Sequence, residues 1–222
     1  GHPLLKTDED QTGKLARGTF NNCGNGRTPW GTYLACEENF HGYFSSPSDP
    51  NANLSADLKR YGVKTKDWGY NWVMNQDRFD VVKNPNEINR HGYITEIDPS
   101  KPQSMPRKQT AMGRFKHENC EVVVSKNGQV VAYMGDDERG EHLYKFVSKG
   151  KYIKGAASNY DLLTEGDLFV AIFNENGTGR WVNLKESGMS DSDISIFTRM
   201  AATQVGATTM DRPEWVAANP NK

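Results

Sequence analysis

The sequence predicts a mainly β fold, either a propeller or a sandwich, with several short antiparallel groups of strands and one short helix near the C-terminus. Short runs of β-branched and aromatic residues recur along the chain between turns rich in Gly, Pro, Asn and Asp. Some of these turns have the composition of tight hairpins, as at Asn127-Gly128. Repeated groups of three or four such strands are typical of propellers and sandwiches.

The predicted strands follow one another through short connections. The most distinct feature is a hairpin over Glu121–Tyr133, in which EVVV and QVVAYM flank the turn SKNG. A second hairpin is predicted on the two sides of the stretch NENGTG. The remaining strands and the arms of that second hairpin are predicted at Gly31–Glu38, His91–Asp98, Leu143–Ser148, Leu168–Phe173 and Arg180–Leu184. Residues 45–80 have no clean periodicity and are interpreted as a polar, aromatic-dotted insertion on the surface.

One helix is predicted after the cluster Ser190, Asp191 and Ser192, which supplies capping side chains. Apolar residues then recur at helical spacing up to Val205, and Gly206 ends the helix.

Composition excludes several classes of partner. The chain has 27 basic and 28 acidic residues, so its net charge of -1 gives no electrostatic preference for nucleic acid or an anionic membrane. No window approaches the roughly 18 consecutive apolar residues of a membrane-spanning helix. The common phosphate-loop, dinucleotide, zinc-protease and serine-hydrolase motifs are also missing. A function therefore has to be inferred from a site.

The stretch NNCGNGRTPWGTYLACEENF places a thiol and two carboxylates at the ends of one short element. Neighbouring residues of a strand face opposite sides, so only Glu38, and not Glu37, shares a face with Cys36. Cys23 has an alternative interpretation as a small buried hydrophobic residue. With three cysteines at least one thiol is unpaired; Cys36 and Cys120 are either a disulfide or, as the simpler interpretation, buried thiols.

Three further places combine polar side chains with strand ends or turns. In GRFKHEN, His117 and Glu118 precede an apolar strand and are either solvated or part of a site. The acidic run GDDERGEH is typical of a solvated hairpin tip, although its carboxylates also suit Ca²⁺. In DRPEW, Arg212 and Glu214 point the same way and form either a surface salt bridge or a phosphate clamp beside a metal ligand.

These four motifs occur in order from about Phe20 to Trp215, and together the series resembles that of the PhoX-type bacterial alkaline phosphatases. The resemblance implies a β-propeller phosphomonoesterase, periplasmic or secreted, that acts on small phosphate esters with a cofactor of ferric iron and calcium. It implies that Cys23, Glu38, Glu118 and Glu214 bind metal and that Arg212 is catalytic and holds the phosphate. Asp136 and Asp137 match the family string, but no role is assigned to them.

The family's later half supplies further acidic ligands, so residues 1–222 are expected to form a single, incomplete propeller domain completed by a further C-terminal segment or chain. Two alternatives are weighed against the phosphatase. One is a non-catalytic propeller fragment that binds calcium or a partner. The other is a lactonase-like hydrolase with one divalent ion, a chemistry that needs neither Arg212 nor Cys23.

Overall fold

The computed structural model of the protein describes residues 1–219 of the 222. It divides into two compact units, of which the first comprises residues 1–21 and 39–92 and the second residues 22–38 and 93 onwards. Every strand of the described residues belongs to the second unit. No helix within residues 1–219 combines the length and the apolarity that crossing a bilayer requires.

The second unit contains three antiparallel sheets. The first has four strands in the order β1-β2-β3-β4, at Asn22–Arg27, Tyr33–Glu37, Ile94–Ile97 and Arg107–Lys108. Strands β5 to β11 follow in chain order at Glu121–Val124, Gln129–Gly135, Arg139–Glu141, Leu143–Lys151, Gly166–Phe173, Gly179–Asn183 and Met210–Asp211. The second sheet has five strands in the order β10-β9-β8-β6-β5, and the third pairs β11 with β7. The prediction of a mainly β fold is confirmed.

Both predicted hairpins are present. Strands β5 and β6 pair from Glu121↔Tyr133 to Val124↔Val130, and the turn between them has Gly128 at a φ of 89°. A positive φ of this kind strains any residue with a Cβ, which explains the Asn-Gly pair at this turn. Strands β9 and β10 form the second hairpin around NENGTG.

One hydrophobic core joins the two larger sheets of the second unit. Leu34, Cys36 and Ile94 of the four-stranded sheet belong to the same buried cluster as Met134 and Phe146 of the five-stranded sheet. Cys36 and Cys120 are free and buried, so the interpretation of these two residues as buried thiols is confirmed. The shared core fixes the strand ends of the two sheets relative to each other, and the candidate site lies at such ends.

The C-terminal helical segment consists of two short helices and not of one. Helix α2 spans Asp191–Ile196 and α3 spans Thr198–Gln204, with Phe197 between them at φ −109° and ψ 40°. Ser190 caps α2 as predicted, because its side chain accepts from the amide of Asp193. The break follows from Thr198, whose hydroxyl donates to the Ile194 carbonyl and accepts from the amide of Arg114.

The first unit is built from short helices and turns. Helix α1 spans Ala56–Arg60, and 3₁₀ turns lie at Pro3–Leu5, Phe40–Tyr43, Trp72–Met74, Asp77–Phe79 and Glu87–Arg90. Three more 3₁₀ turns lie in the second unit, at Thr110–Met112, Ala157–Asp161 and Leu184–Ser187. Residues 45–80, interpreted as a surface insertion, supply much of the interior of this unit, including buried Tyr61, Val63, Val73 and Phe79. Of the aromatic residues in this stretch, Tyr61 and Phe79 pack inward, whereas Trp68, Tyr70 and Trp72 are exposed.

Candidate metal centre

Cys23 lies in an irregularity of strand β1. Asn25 pairs with Ala35 and Asn22 pairs with Glu37, so β1 contains one residue more than β2 over this stretch. Such a bulge redirects a side chain out of the regular alternation. The thiol of Cys23 is exposed, and its interpretation as a small buried hydrophobic residue is therefore wrong.

The two adjacent glutamates face opposite ways at the end of β2. Glu37 is fully buried; one carboxylate oxygen accepts from Lys108 Nζ at 2.8 Å and the other from the amide of Tyr93 at 3.0 Å. Glu38 lies on the side of Cys23. The alternation along the strand therefore separates a buried carboxylate that neutralises a lysine from one that faces the candidate site.

The side chains of His117 and Glu118 also point in opposite directions. The ring of His117 is completely buried, stacks on Phe115 at 3.7 Å between centroids, and makes a 3.0 Å hydrogen bond to the carbonyl of Gly113. Burial lowers its pKa to about 4, so this imidazole is neutral near pH 7. Glu118 points instead to Cys23, whose Sγ lies 3.7 Å from each of its carboxylate oxygens.

Close backbone approach holds the Cys23 and Glu118 segments together. A Cβ placed on Gly24 would lie 2.0 Å from the carbonyl oxygen of Glu118. Only glycine therefore allows β1 to pack directly on this segment, and the same glycine faces the ring of Trp215.

Cys23, Glu38 and Glu118 form the metal-ligand cluster, a name used below for these three residues. Each offers one ligand atom, and the three atoms lie within 4.8 Å of one another. A single ion bound between them would bring one sulfur and two carboxylate oxygens into its coordination shell. A thiolate suits a transition metal and carboxylates suit hard cations, so this donor set can hold a metal ion of either kind.

The electrostatics of the cluster also favour a cation. Burial raises the pKa of the Glu38 carboxyl, and the charges of Glu118 and Asp137 raise it further. Burial and the charges of Asp137 and Glu214 likewise raise the pKa of Glu118. Burial and the hydrogen bond to Glu38 raise the pKa of the Cys23 thiol to about 12. These groups resist ionisation without a counter-charge, and a bound metal ion would supply that charge.

The DRPEW segment brings Arg212 and Glu214 beside the cluster. The guanidinium donates to Asp137 from Nε at 2.8 Å and from Nη2 at 2.7 Å, and Nη2 also lies 3.1 Å from Glu214 Oε1. Glu214 is half exposed and is not one of the three mutually close ligands, although its charge acts on Glu118. Its role as a metal ligand stays a prediction.

The position of this segment is fixed by two contacts. A Cβ on Gly135 would lie 2.2 Å from the carbonyl oxygen of Pro213, so the segment packs on bare backbone at the end of β6. The side chain of Asn119 donates to the carbonyl of Val216 at 2.8 Å and accepts from its amide at 2.9 Å. Asn119, which directly follows Glu118, thereby links the Glu118 segment to the segment that carries Arg212.

Sequence reasoning assigned no role to Asp136 and Asp137, and interpreted GDDERGEH as a solvated hairpin tip. Both aspartates are buried, so that interpretation is wrong for them. Asp136 binds the fully buried Arg199 through contacts of 2.8 and 2.6 Å, and Asp137 binds Arg212. In the sequence the two adjacent acids are separated from these arginines by 63 and 75 positions, and nothing in that spacing reveals which acid pairs with which arginine.

Comparison with known proteins identifies the family. The family model "Alkaline phosphatase PhoX" matches residues 1–222, whereas no curated protein matches the chain. A solved structure, Pseudomonas fluorescens PhoX in complex with vanadate, a transition state analogue, is 48% identical with a TM-score of 0.95. The match covers 100% of this chain and 41% of that one, and it supports the mainly β, propeller-like fold. The resemblance inferred from the four motifs is confirmed, and the chain belongs to the alkaline phosphatase PhoX family.

Proposed function

We propose that the protein is a metal-dependent phosphomonoesterase that releases phosphate from small organic phosphate esters. The observation that carries the proposal is the convergence of the metal-ligand cluster with an anchored arginine. Arg212 lies beside Asp137, and Asp137 acts electrostatically on both Glu38 and Glu118. A cation site next to a guanidinium is what the hydrolysis of a phosphate ester requires, because both neutralise charge on the transferring phosphoryl group.

Iron and calcium are proposed as the cofactor on the basis of the donor set. Cys23 would bind iron through its thiolate, and Glu38, Glu118 and Glu214 would hold iron and calcium through carboxylate oxygens. Such ions, when bound, act as Lewis acids on phosphoryl oxygens and orient the attack on phosphorus.

Arg212 is the residue of this chain proposed to bind the phosphate. Half of its side chain is exposed, although Asp137 and Glu214 together occupy Nε and Nη2. The guanidinium keeps further N–H groups on Nη1 for a phosphate oxygen, in a planar arrangement that suits this anion. Arg212 would therefore orient the ester and stabilise the charge that develops on it.

The solved structure of the relative also supports the phosphomonoesterase proposal. That structure contains vanadate, described there as a transition state analogue. The match to that protein covers every residue of the present chain, at 48% identity. Since the chain spans 41% of the relative's length, the activity is proposed for the full-length protein.

The experiment is a hydrolysis assay on the full-length protein after chelation and reconstitution with iron and calcium, using an aryl phosphate monoester and the matching diester. We expect monoester hydrolysis that requires both metals. Cys23→Ser and Glu118→Gln should each lower it by at least about a hundredfold, because even residues behind the ligands cost about 10- to 100-fold. Cys120→Ala and Glu165→Gln, matched changes at a buried thiol and an exposed carboxylate, should leave it within about a factor of two.

A different result would point to the alternative function. If calcium raises the melting temperature but no iron binds and no ester is hydrolysed, the protein is a calcium-binding module and the phosphatase proposal is wrong. Equal loss of activity in the control variants would likewise show that the cluster has no special role.

Export to the periplasm or the medium is proposed from the family resemblance. Fractionation of producing cells, with the protein followed by antibody, tests it; retention of the protein in the cytoplasmic fraction would contradict this location.

A further inference from the structure

We propose that Asn21 is a positioning residue for the metal-ligand cluster, because its side chain joins the two ends of the β1–β2 hairpin beside which Cys23 and Glu38 lie. The inference rests on the proposed metal centre and adds a residue outside the set of proposed ligands. It is carried by one contact, in which Oδ1 of Asn21 accepts a 3.1 Å hydrogen bond from the amide of Asn39.

The two ligands lie on either side of the last pair of the hairpin ladder. On this side the pairing of β1 with β2 ends at Asn22↔Glu37, and the register shifts directly after it. Cys23 follows Asn22 and lies in the bulge, whereas Glu38 follows Glu37, at which β2 has ended. The relative placement of the two ligand side chains therefore depends on how firmly this end of the hairpin is closed.

A side chain continues the closure where the backbone ladder stops. In a longer antiparallel ladder, a backbone carbonyl would accept from an amide across the strands. Here the amide oxygen of Asn21 does so, one step beyond the last pair. Asn39 is bonded directly to Glu38, and only one residue separates Asn21 from Cys23. The contact thus controls the spacing of the two ligands through a very short length of backbone.

The conformation of Asn21 suits this role. Its φ is 48°, in the left-handed region that residues with a Cβ seldom occupy and that asparagine and aspartate enter more readily than most. A second contact, from Nδ2 to the hydroxyl of Tyr70 at 3.4 Å, orients the amide group with its oxygen toward Asn39. The position therefore requires a residue that accepts this backbone and also has an acceptor oxygen at this distance from it.

The contact contributes more to the site than to the fold. Leu34 and Cys36 of β2 belong to the hydrophobic core that the two larger sheets share, and this core holds the hairpin independently of Asn21. Loss of the contact should let the hairpin ends separate without unfolding the hairpin. Residues behind metal ligands typically contribute about 10- to 100-fold to metal affinity. Asn21 acts through the backbone, so we expect the lower value.

The test compares ferric iron binding by the full-length, calcium-saturated natural protein, Asn21→Gly and Asn21→Asp. Iron affinity is measured by competition with a chelator of known affinity. Sulfur-to-iron charge-transfer absorption reports whether the thiol remains a ligand. Glycine keeps the left-handed backbone and removes the contact, whereas aspartate tolerates this backbone and keeps an acceptor oxygen.

Asn71→Gly is the matched control. That asparagine also has a positive φ, of 59°, and its side chain makes a local contact by donating to the carbonyl of Gly69 at 3.2 Å. The control therefore removes an asparagine of the same conformation that does not join the ends of the hairpin.

We expect Asn21→Gly to bind iron about tenfold more weakly, while the melting temperature of the metal-free protein falls by less than about 4 °C. Asn21→Asp should restore most of the affinity, and Asn71→Gly should bind iron like the natural protein. In a Cys23→Ser background, Asn21→Gly should weaken iron binding by less than about a factor of two, because the contact acts through the placement of the thiolate.

Several results would overturn the proposal. Iron binding by folded Asn21→Gly equal to that of the natural protein would do so, as would an undiminished effect in the Cys23→Ser background or an equal loss in Asn71→Gly. If Asn21→Gly fails to fold, Asn21→Asp decides: natural iron affinity supports the proposal, and weak binding contradicts it. Iron binding is measured separately from hydrolysis, so a protein that binds iron as expected but hydrolyses no ester would refute only the proposed function.

Discussion

Substitution of Gly24 by alanine should separate the Cys23 and Glu118 segments and abolish the metal-ligand cluster. The added Cβ would lie 2.0 Å from the Glu118 carbonyl oxygen, whereas such contacts essentially never fall below 3.0 Å. The backbone of one segment must then move by about 1 Å. Metal sites tolerate ligand displacements of only about 0.2 Å. Cys23 and Glu118 could no longer bind one ion together.

The cost to the fold should be smaller than the cost to the site. The backbone of Gly24 does not have a positive φ, so alanine is strained only by the steric contact. Overpacking of this kind costs about 1–3 kcal/mol, which a domain of ordinary stability survives. We therefore expect Gly24→Ala to remain folded and to bind iron at least about tenfold more weakly, which corresponds to a loss of about 1.4 kcal/mol or more of binding free energy.

Elemental analysis and thermal unfolding of the full-length variant provide the assay. Gly150→Ala is the matched control: its backbone also lacks a positive φ, and its new Cβ meets only the flexible end of Leu162 at 2.9 Å. The control should retain iron. Full iron occupancy in folded Gly24→Ala would refute the reasoning, because Cys23 and Glu118 would then not need the close approach that glycine allows.

Three further predictions concern the supports of the site and the first unit. Asn119→Ala removes two hydrogen bonds to Val216 and should cost about 1–3 kcal/mol at about 0.5–1.5 kcal/mol each; an unchanged urea midpoint would contradict it. Asp136→Asn leaves the buried Arg199 charge incompletely paired and should lower the unfolding free energy by about 3–5 kcal/mol, measured by the same method; a loss below about 1 kcal/mol would mean that the pair contributes little. The pKa of Asp10 is lowered below its usual 3.8 by a threonine hydroxyl, backbone amides and an arginine, so its stabilisation is present above 3.8 and is lost as the pH falls further. Asp10→Asn should therefore flatten the acid limb of the stability–pH curve, and a limb as steep as that of the natural protein would show that this carboxylate does not contribute.

The parts of the structure that sequence predicted are those set by neighbouring residues. The hairpins around Asn127-Gly128 and NENGTG depend on turn composition and strand alternation, and both are present. The alternation of side chains along a strand also showed that Glu38 and Glu37 face opposite sides, because this inference does not require knowing which residues each glutamate contacts. The serine cap of α2 was equally accessible, because capping involves residues only three apart.

The parts that sequence missed depend on contacts between distant residues. Asp136 and Asp137 could not be assigned because their arginine partners lie 63 and 75 positions along the chain. The break between α2 and α3 depends on a hydrogen bond from Arg114 to Thr198 across 84 positions. The exposure of Cys23 depends on a bulge in strand β1, and next to this bulge the backbone of Gly24 lies against the carbonyl of Glu118. Local propensity contains none of this information.

The most direct test of the metal-ligand cluster is X-ray absorption at the iron edge of the full-length protein and of Cys23→Ser. We expect one sulfur ligand in the natural protein and loss of that sulfur in the variant, because Cys23 is the one exposed cysteine and lies beside Glu38 and Glu118. Iron coordinated only by oxygen and nitrogen in the natural protein, or a sulfur signal that survives Cys23→Ser, would contradict the assignment of this cluster as the iron site.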